Sequence, residues 1–364
     1  MPLPPLTGHS EARKRFSEGR RAGNLPQSVL ITGPRGVGKQ RLALWLGQLL
    51  LCERDASEPC GVCRKCRLVM ELSHPDLHWF VPIPRPKAGE PGKQMEEASE
   101  AMAAALSERR KQPLYVPADG MAIHPIASVR LLQQQAALSA VEGGWRVFII
   151  GGAERLVPQE ASQEAANAML KLLEEPPPRS LFVLTTVDPR QLLPTVRSRT
   201  APVRLNRLSD ADVRAFLERE VPDKAGRGLM DTRVRAAEGS IGRAVAADDD
   251  DSGSSYRAAT QLLEAVASGK GPALERALKQ TPFAARGEFT AMLDALADAL
   301  GEAARSALGQ PTRRELPDAL KRPRDPARLM RALELVSEAR EAAWGNVNPQ
   351  LLLAVLSGEL AEEL

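Results

Sequence analysis

Ser28-Val29-Leu30-Ile31-Thr32-Gly33-Pro34-Arg35-Gly36-Val37-Gly38-Lys39-Gln40 is the stretch on which the fold turns. An apolar, β-branched run, then glycines, then a helical pattern over Lys39–Leu51 gives the strand–loop–helix order of a phosphate-binding loop. The glycines Gly33, Gly36 and Gly38 permit tight turns whose amides point at phosphate oxygens, and Lys39 would reach the β- and γ-phosphates. The position after that lysine carries Ser or Thr in a working loop, because its hydroxyl coordinates Mg²⁺. Here it is Gln40, whose longer amide displaces the ion or its waters.

Outward from this loop, short apolar runs alternate with helical patterns through the first half of the chain, which implies a parallel sheet covered by helices. The strands read as Ser28–Thr32, Leu77–Val81, Arg146–Ile150, Leu181–Thr185 and Val203–Leu205, and the helices include Lys39–Leu51, Val129–Ala140 and Gln159–Glu174. The strand Arg146–Ile150 is where an ATPase ends in an acidic pair that holds Mg²⁺ and polarises the attacking water. The residues that follow are Gly151 and Gly152, with Glu154 two or three positions too late. Metal neutralisation and in-line positioning supply nearly all the catalysis of phosphoryl transfer, so these losses predict no ATP hydrolysis by the chain itself. Retention of ATP or ADP is left open, without a productive Mg²⁺ site.

All four cysteines fall in one window, Cys52, Cys60, Cys63 and Cys66, spaced C-x7-C-x2-C-x2-C. In a reducing compartment, C-x2-C turns bring thiolates onto one tetrahedral Zn²⁺, and Arg64, Lys65 and Arg67 favour the thiolate form. Four ligands close the shell, so the reading is a structural zinc module at about 52–66 rather than a catalytic ion or a redox dithiol.

The chain has 364 residues, 49 Lys+Arg against 46 Asp+Glu, 43 % hydrophobic and 26 % charged residues. That length suggests two or three domains, and that composition a folded protein. No apolar run approaches the roughly 18 residues of a membrane span, and the start lacks the order of a secretory signal, so a cytoplasmic location is expected. A net charge of +3 gives no general case for nucleic-acid binding, and 4 % aromatic residues argue against base-stacking platforms. The pattern divides as 1–207, the α/β domain with its cysteine module; 208–247, a small helical lid; 248–255, an acidic, Ser-rich linker; and 256–364, an all-helical domain. In the last, Phe289, Leu293, Leu296, Leu300, Ala303 and Ala307 form a stripe on one helix, and Gln350–Leu364 reads as a final helix. An insert, with a Pro- and Gly-rich loop at Pro82–Gly92 and a polar helix at Gln94–Gln112, carries no functional reading.

The order of these elements resembles the clamp-loader branch of the AAA+ ATPases, and within it the delta-prime family of the bacterial DNA polymerase III holoenzyme. Beyond Gly33–Lys39 and the cysteine cluster, the resemblance rests on His74-Pro75-Asp76-Leu77, Ile123, Val129-Arg130, the run Asn167 to Pro177, Thr185-Thr186, Leu193 to Thr200, Gly239 to Ala244 and Asn346 to Leu352. It implies an α/β P-loop AAA+ domain with an inserted zinc module, a helical lid and an all-α collar domain for oligomerisation. It also implies that Arg199, in a Ser-Arg-Thr rather than Ser-Arg-Cys segment, is an arginine finger acting in trans on a neighbour's ATP. Arg243 matches the second sensor and Thr185 or Thr186 the first. The partners implied are the gamma/tau motor subunits and the delta subunit in a hetero-oligomeric ring, and indirectly the sliding clamp and primer–template DNA. Gln40, Gly151 and Gly152 favour a non-hydrolysing, ring-completing role over two alternatives: a motor subunit of the same loader with a rescued metal site, and a zinc-ribbon DNA-binding protein with a vestigial loop.

Overall fold

The computed structural model describes all residues except 1, 55, 88, 115–121, 157–163, 223–226, 247–249, 281–287, 314 and 344–346. The chain divides into two compact units, one taking in Met1–Val116 and Ala122–Val245, the other Ala246–Leu364.

The first unit holds five parallel strands, β1 (Ser28–Thr32), β2 (Leu77–Phe80), β3 (Arg146–Gly151), β4 (Ser180–Thr186) and β5 (Ala201–Arg204), in the order β2-β3-β4-β1-β5. Every residue of β3 and β4 is buried. That explains their near-continuous apolar runs, because a parallel sheet is covered on both faces. Helices α1 (Ser10–Arg21), α2 (Lys39–Leu51), α3 (Arg64–Met70), α4 (Pro91–Lys111), α5 (Ile126–Ala137), α6 (Glu164–Glu174) and α7 (Pro194–Arg197) supply that cover. Right-handed crossovers put α2 and α3, which lead from β1 out to β2, on one face, and α5, α6 and α7, on the return path, on the other. Across β2, β3 and β4 the register aligns His78, Phe148 and Phe182, whose rings stack at 5.0 and 4.9 Å.

Two boundaries moved for identifiable reasons. The fifth strand begins at Ala201 and contains Pro202, tolerated because β5 is an edge strand paired only with β1. The helix read as Val129–Ala140 runs Ile126–Ala137, with Pro125 at its N-cap. Its C-terminal carbonyls are closed by the buried Arg146, which donates to Ala136 O at 2.9 Å and also to Leu138 O. The polar helix of the insert forms as α4 and buries Ala98 and Met102. The helix expected from Gln159 is α6 from Glu164, its first positions lying outside the described residues.

Residues beyond β5 add α8 (Asp210–Glu220), α9 (Arg227–Ala237) and α10 (Ile241–Ala246), packed on their own core of Leu208, Val213, Phe216, Leu217, Met230, Val234, Ala237 and Ala244. The second unit is helical: α11 (Asp250–Ala267), α12 (Lys270–Leu278), α13 (Glu288–Ala307), α14 (Pro326–Ala343) and α15 (Pro349–Glu363). The stripe from Phe289 to Ala303 is buried as expected, and Ala307 packs at its margin. The acidic run read as a linker over 248–255 is helical from Asp250, while 248 and 249 lie outside the described residues. Carboxylates at a helix N-terminus complement its dipole, so an acidic run can start a helix as readily as it can solvate a linker. Asn348 caps α15, its Oδ1 accepting from Gln350 N, with Pro349 in the first turn.

No helix among the described residues is long and apolar enough to cross a membrane.

Candidate functional site

In an open parallel sheet, ligands bind outside the carboxyl ends of the strands. In this sheet that edge gathers the loop after Thr32, Phe80, Gly151 and Thr186. The Gly33–Lys39 loop makes its turn with Gly36 at φ 74°, the left-handed region that glycine enters without strain. Gly36 also has no room for a side chain, since a Cβ would stand 2.8 Å from Gly242 Cα. Lys39 heads α2, and its Nζ donates to the carbonyls of Gly33 at 2.8 Å and Pro34 at 2.7 Å. Burial takes this ammonium down to about 8, with Glu154 opposing the shift and Arg35 adding to it. The nearby His9 Nε2 donates to Val37 O at 2.7 Å, holding α1's start against the loop.

Gln40 lies beside the end of β3, and the structure shows what it does there. Its Nε2 is 2.6 Å from the point where a Cβ on Gly151 would stand. The amide thus fills the space an acidic side chain at 151 would use, and only glycine there leaves room for it. Gln40 Oε1 accepts from Arg109 Nη1 at 2.9 Å, and the Arg109 guanidinium lies 4.6 Å over the Trp79 ring. Arg109 comes from α4, the insert that had no functional reading, and Arg41 anchors that insert's end by donating to Pro113 O at 2.6 Å. An amide braced by a guanidinium therefore stands at the end of β3. Nothing in the sequence pointed to Arg109 or Trp79, because their meeting with Gln40 is made only by the tertiary fold.

The end of β3 is tied from both sides. Gly152 N donates to Thr185 Oγ1 at 3.3 Å, and His124 Nε2 donates to Gly151 O at 2.9 Å. Thr186 Oγ1 accepts from Asp188 N at 3.2 Å, so both threonines are engaged in holding turns. Complete burial lowers His124 to about 4, against the bond to Gly151 and with Arg155 adding to the shift.

The residues matched to the second sensor lie against the loop. Ser240 Oγ donates to Arg35 O at 2.9 Å and Gly242 N to Gly36 O at 3.0 Å. Arg243, three residues beyond Ser240, pairs with Glu238 at 3.3 Å, a carboxylate that Arg207 also holds.

Arg199 sits between α7 and β5, about one third exposed. Its Nε donates to Glu174 Oε1 at 2.6 Å and its Nη1 to Thr195 O at 3.0 Å. Thr200 is buried, and its hydroxyl donates to Arg197 O at 3.0 Å. The residue standing for Cys thus closes the last turn of α7, and the guanidinium next to it is left at the surface.

The four cysteines converge. Their Sγ atoms all lie within 4.8 Å of one another, with Cys52–Cys60 at 3.6 Å and both Cys52–Cys63 and Cys60–Cys66 at 4.0 Å. Sulfurs bound tetrahedrally at about 2.3 Å have edges of about 3.8 Å, so the set fits a metal ion of zinc's size and preference. Backbone amides support the charged form: Cys63 N donates to Cys60 Sγ and Cys66 N to Cys63 Sγ, each at 3.4 Å. The amides of Cys63 and Val62 bring the Cys60 thiol down to about 6, whereas burial pushes Cys66 up. Glu142 clamps this module to the sheet, pairing with Arg64 at 2.8 Å and Lys65 at 2.9 Å, which hold its carboxyl down at about 2. Gln48, on α2, donates to Cys66 O at 3.1 Å.

Residues 8–209 match the family described as DNA polymerase III, delta subunit. A DNA polymerase III subunit delta' of Haemophilus influenzae is 30 % identical over 172 residues, 47 % of this chain and 40 % of that relative. The subunit delta' of Pseudomonas aeruginosa is 30 % identical over 203 residues, 56 % of this chain and 50 % of that relative. A DNA polymerase III subunit gamma/tau of Mycobacterium tuberculosis is 26 % identical over 215 residues, 59 % of this chain and 30 % of that relative. The chain thus spans half or less of the length of each relative. The loop, the sheet it leaves and the cysteine cluster all lie inside the stretch of family similarity, and the chain belongs to the DNA polymerase III, delta subunit family as a clamp-loader protein of the delta-prime type.

Proposed function

We propose that this chain is the non-hydrolysing, ring-completing subunit of a replicative clamp loader, lending Arg199 to ATP held by a neighbouring motor subunit. The observation that carries the reading is the Gln40 amide at the end of β3, its Nε2 2.6 Å from the Cβ position of Gly151, where it would displace a metal ion. A cradle without hydroxyl or carboxylates for Mg²⁺ lacks the ion that bridges the β- and γ-phosphates and a group to position a lytic water. What remains is a permanently charged planar fork at the surface, the kind of group that stabilises transition-state charge on a phosphate across an interface. Glu174 and Thr195 hold that fork in one orientation. Arg243 and the loop residues Gly33, Gly36, Gly38 and Lys39 are then a vestigial phosphate site that orders the α/β domain against its lid.

The cysteines Cys52, Cys60, Cys63 and Cys66 hold a structural Zn²⁺ in this reading; bound there, the ion would tie the 52–66 loop to α3. The partners are the gamma/tau motors and the delta subunit, with the helices of 256–364 in a shared collar, and indirectly the clamp and primer–template DNA in the cytoplasm. The test is reconstitution with motor subunits, delta, clamp and primed DNA, followed by ATP turnover. Arg199→Ala lowers turnover of the assembly severalfold or more if the reading holds; unchanged turnover refutes it.

A further inference from the structure

The insert between β2 and α5 is rooted beside the sheet at both ends. Ile83 N donates to Ile123 O at 2.8 Å and Ile123 N to Ile83 O at 2.9 Å, an antiparallel bridge that ties its two arms together. Next to that bridge, Arg155 Nη1 donates to Ala122 O at 2.8 Å and His124 N to Arg155 O at 3.0 Å. Between the roots, α4 lays Ala98 and Met102 into the core of the α/β domain. Its last turn then brings Arg109 to the end of β3, where the guanidinium bonds Gln40 and lies over Trp79. Beyond α4 the chain reaches the lid. Pro113 O accepts from Arg41 Nη2 at 2.6 Å, and Leu114 packs on the lid core. Burial, then the like charge of Arg109, takes Arg41 down to about 10, and Glu220, on α8 of the lid, opposes that shift. Arg41 thus stands where sheet, insert and lid meet.

The cores of the sheet and of the lid are separate clusters, so no shared apolar core welds one to the other. Two packed bodies joined in that way move relative to each other by default. The lid touches the loop through hydrogen bonds, from Ser240 Oγ to Arg35 O and from Gly242 N to Gly36 O. Among the described apolar residues packed on the lid core, Leu114 is the one that comes from outside the lid. The insert therefore supplies what the joint otherwise lacks, an apolar contact on the lid and charge-assisted bonds on the sheet side. We propose that the insert is a strap: α4 and the residues that follow it clamp the lid to the sheet in one orientation through Arg109, Pro113 and Leu114. The chain alone then sets the position of the lid, and the insert acquires a role. The inference goes beyond the reading of Arg199 and does not depend on it.

The test is amide hydrogen exchange, read by mass spectrometry on the full chain as parent, Arg109→Ala, Leu114→Ala and Leu114→Met. The reporter is the peptide carrying Gly242, whose amide donates to Gly36 O across the joint. The buried strand β4 reports opening of the whole domain. Loss of a charge-assisted bond shifts a local opening equilibrium about tenfold or more, so Arg109→Ala speeds exchange at Gly242 by that factor. Leu114→Ala speeds it severalfold, and Leu114→Met, which keeps the volume, restores the parent rate. In every variant β4 exchanges within about twofold of the parent. Faster exchange confined to α4, with the Gly242 peptide unchanged, overturns the proposal, because the insert then only packs on the sheet. Equal acceleration of β4 and the Gly242 peptide overturns it too, because the whole domain rather than the joint is then loosened. Turnover of the assembled complex with Arg199→Ala is read separately, so the finger and the strap can each fail alone.

Discussion

Gly151→Ala adds one methyl group to the end of β3, and its predicted effect changes sign with the residue at position 40. The backbone at 151 is ordinary, outside the left-handed region. With nothing in the way, Gly→Ala at a compatible position stabilises by about 0.4–1 kcal/mol, because the unfolded chain loses freedom. The new Cβ, however, would stand 2.6 Å from Gln40 Nε2, 3.3 Å from its Cδ and 3.2 Å from Trp79 Nε1. The Gln40 amide must then move, although its Oε1 is held by Arg109 at 2.9 Å. Losing that charge-assisted bond costs about 1.5–3 kcal/mol. The net expectation is a destabilisation of about 1–2 kcal/mol in the parent chain. In a Gln40→Ser background only the 3.2 Å approach to Trp79 Nε1 remains, and Gly151→Ala is about neutral or stabilises by up to about 1 kcal/mol through the entropy effect. The coupling between the two positions is thus about 2 kcal/mol, well outside the error of a double-mutant cycle. Urea unfolding followed by tryptophan fluorescence measures it. Equal effects of Gly151→Ala in both backgrounds would refute the argument that Gln40 fills the space beside Gly151.

Four thiolates that fit one ion predict about one zinc per purified chain; a strong chelator should lower the melting temperature, and a content below about half an ion would contradict the site. His124 is buried with its basicity reduced to about 4, against an unfolded value near 6.5. The unfolded state therefore takes up a proton first, so stability is full above about pH 6.5, falls on acidification and levels off below about pH 4; His124→Gln should flatten that part of the stability–pH curve. Thr200→Val keeps the shape but removes a hydroxyl that donates to Arg197 O and Val196 O, and it should cost about 1 kcal/mol in thermal unfolding. No loss would mean the α7 turn does not need it.

The sheet was legible because a buried parallel strand must be apolar on both faces, and β1, β3 and β4 are. The loop was legible because glycines at 33, 36 and 38 before Lys39 answer a backbone demand that few other patterns share. What stayed hidden was whatever depends on contacts distant in sequence. Gln40 was visible as a lost metal ligand, yet its bond to Arg109 links residues 69 positions apart through the placement of α4. Glu174 as the residue gripping Arg199 was hidden for the same reason. The linker reading failed because an acidic, Ser-rich run has the composition of a solvated segment and of a helix N-terminus alike; only its continuation into α11 decides between them.

The most direct measurement compares two substitutions in one assay, ATP turnover by the reconstituted loader on primed DNA with Lys39→Ala or Arg199→Ala introduced into this chain alone. The account predicts that Lys39→Ala leaves turnover unchanged while Arg199→Ala slows it. A drop with Lys39→Ala and none with Arg199→Ala would mean that the chain cleaves its own ATP and lends nothing to its neighbour.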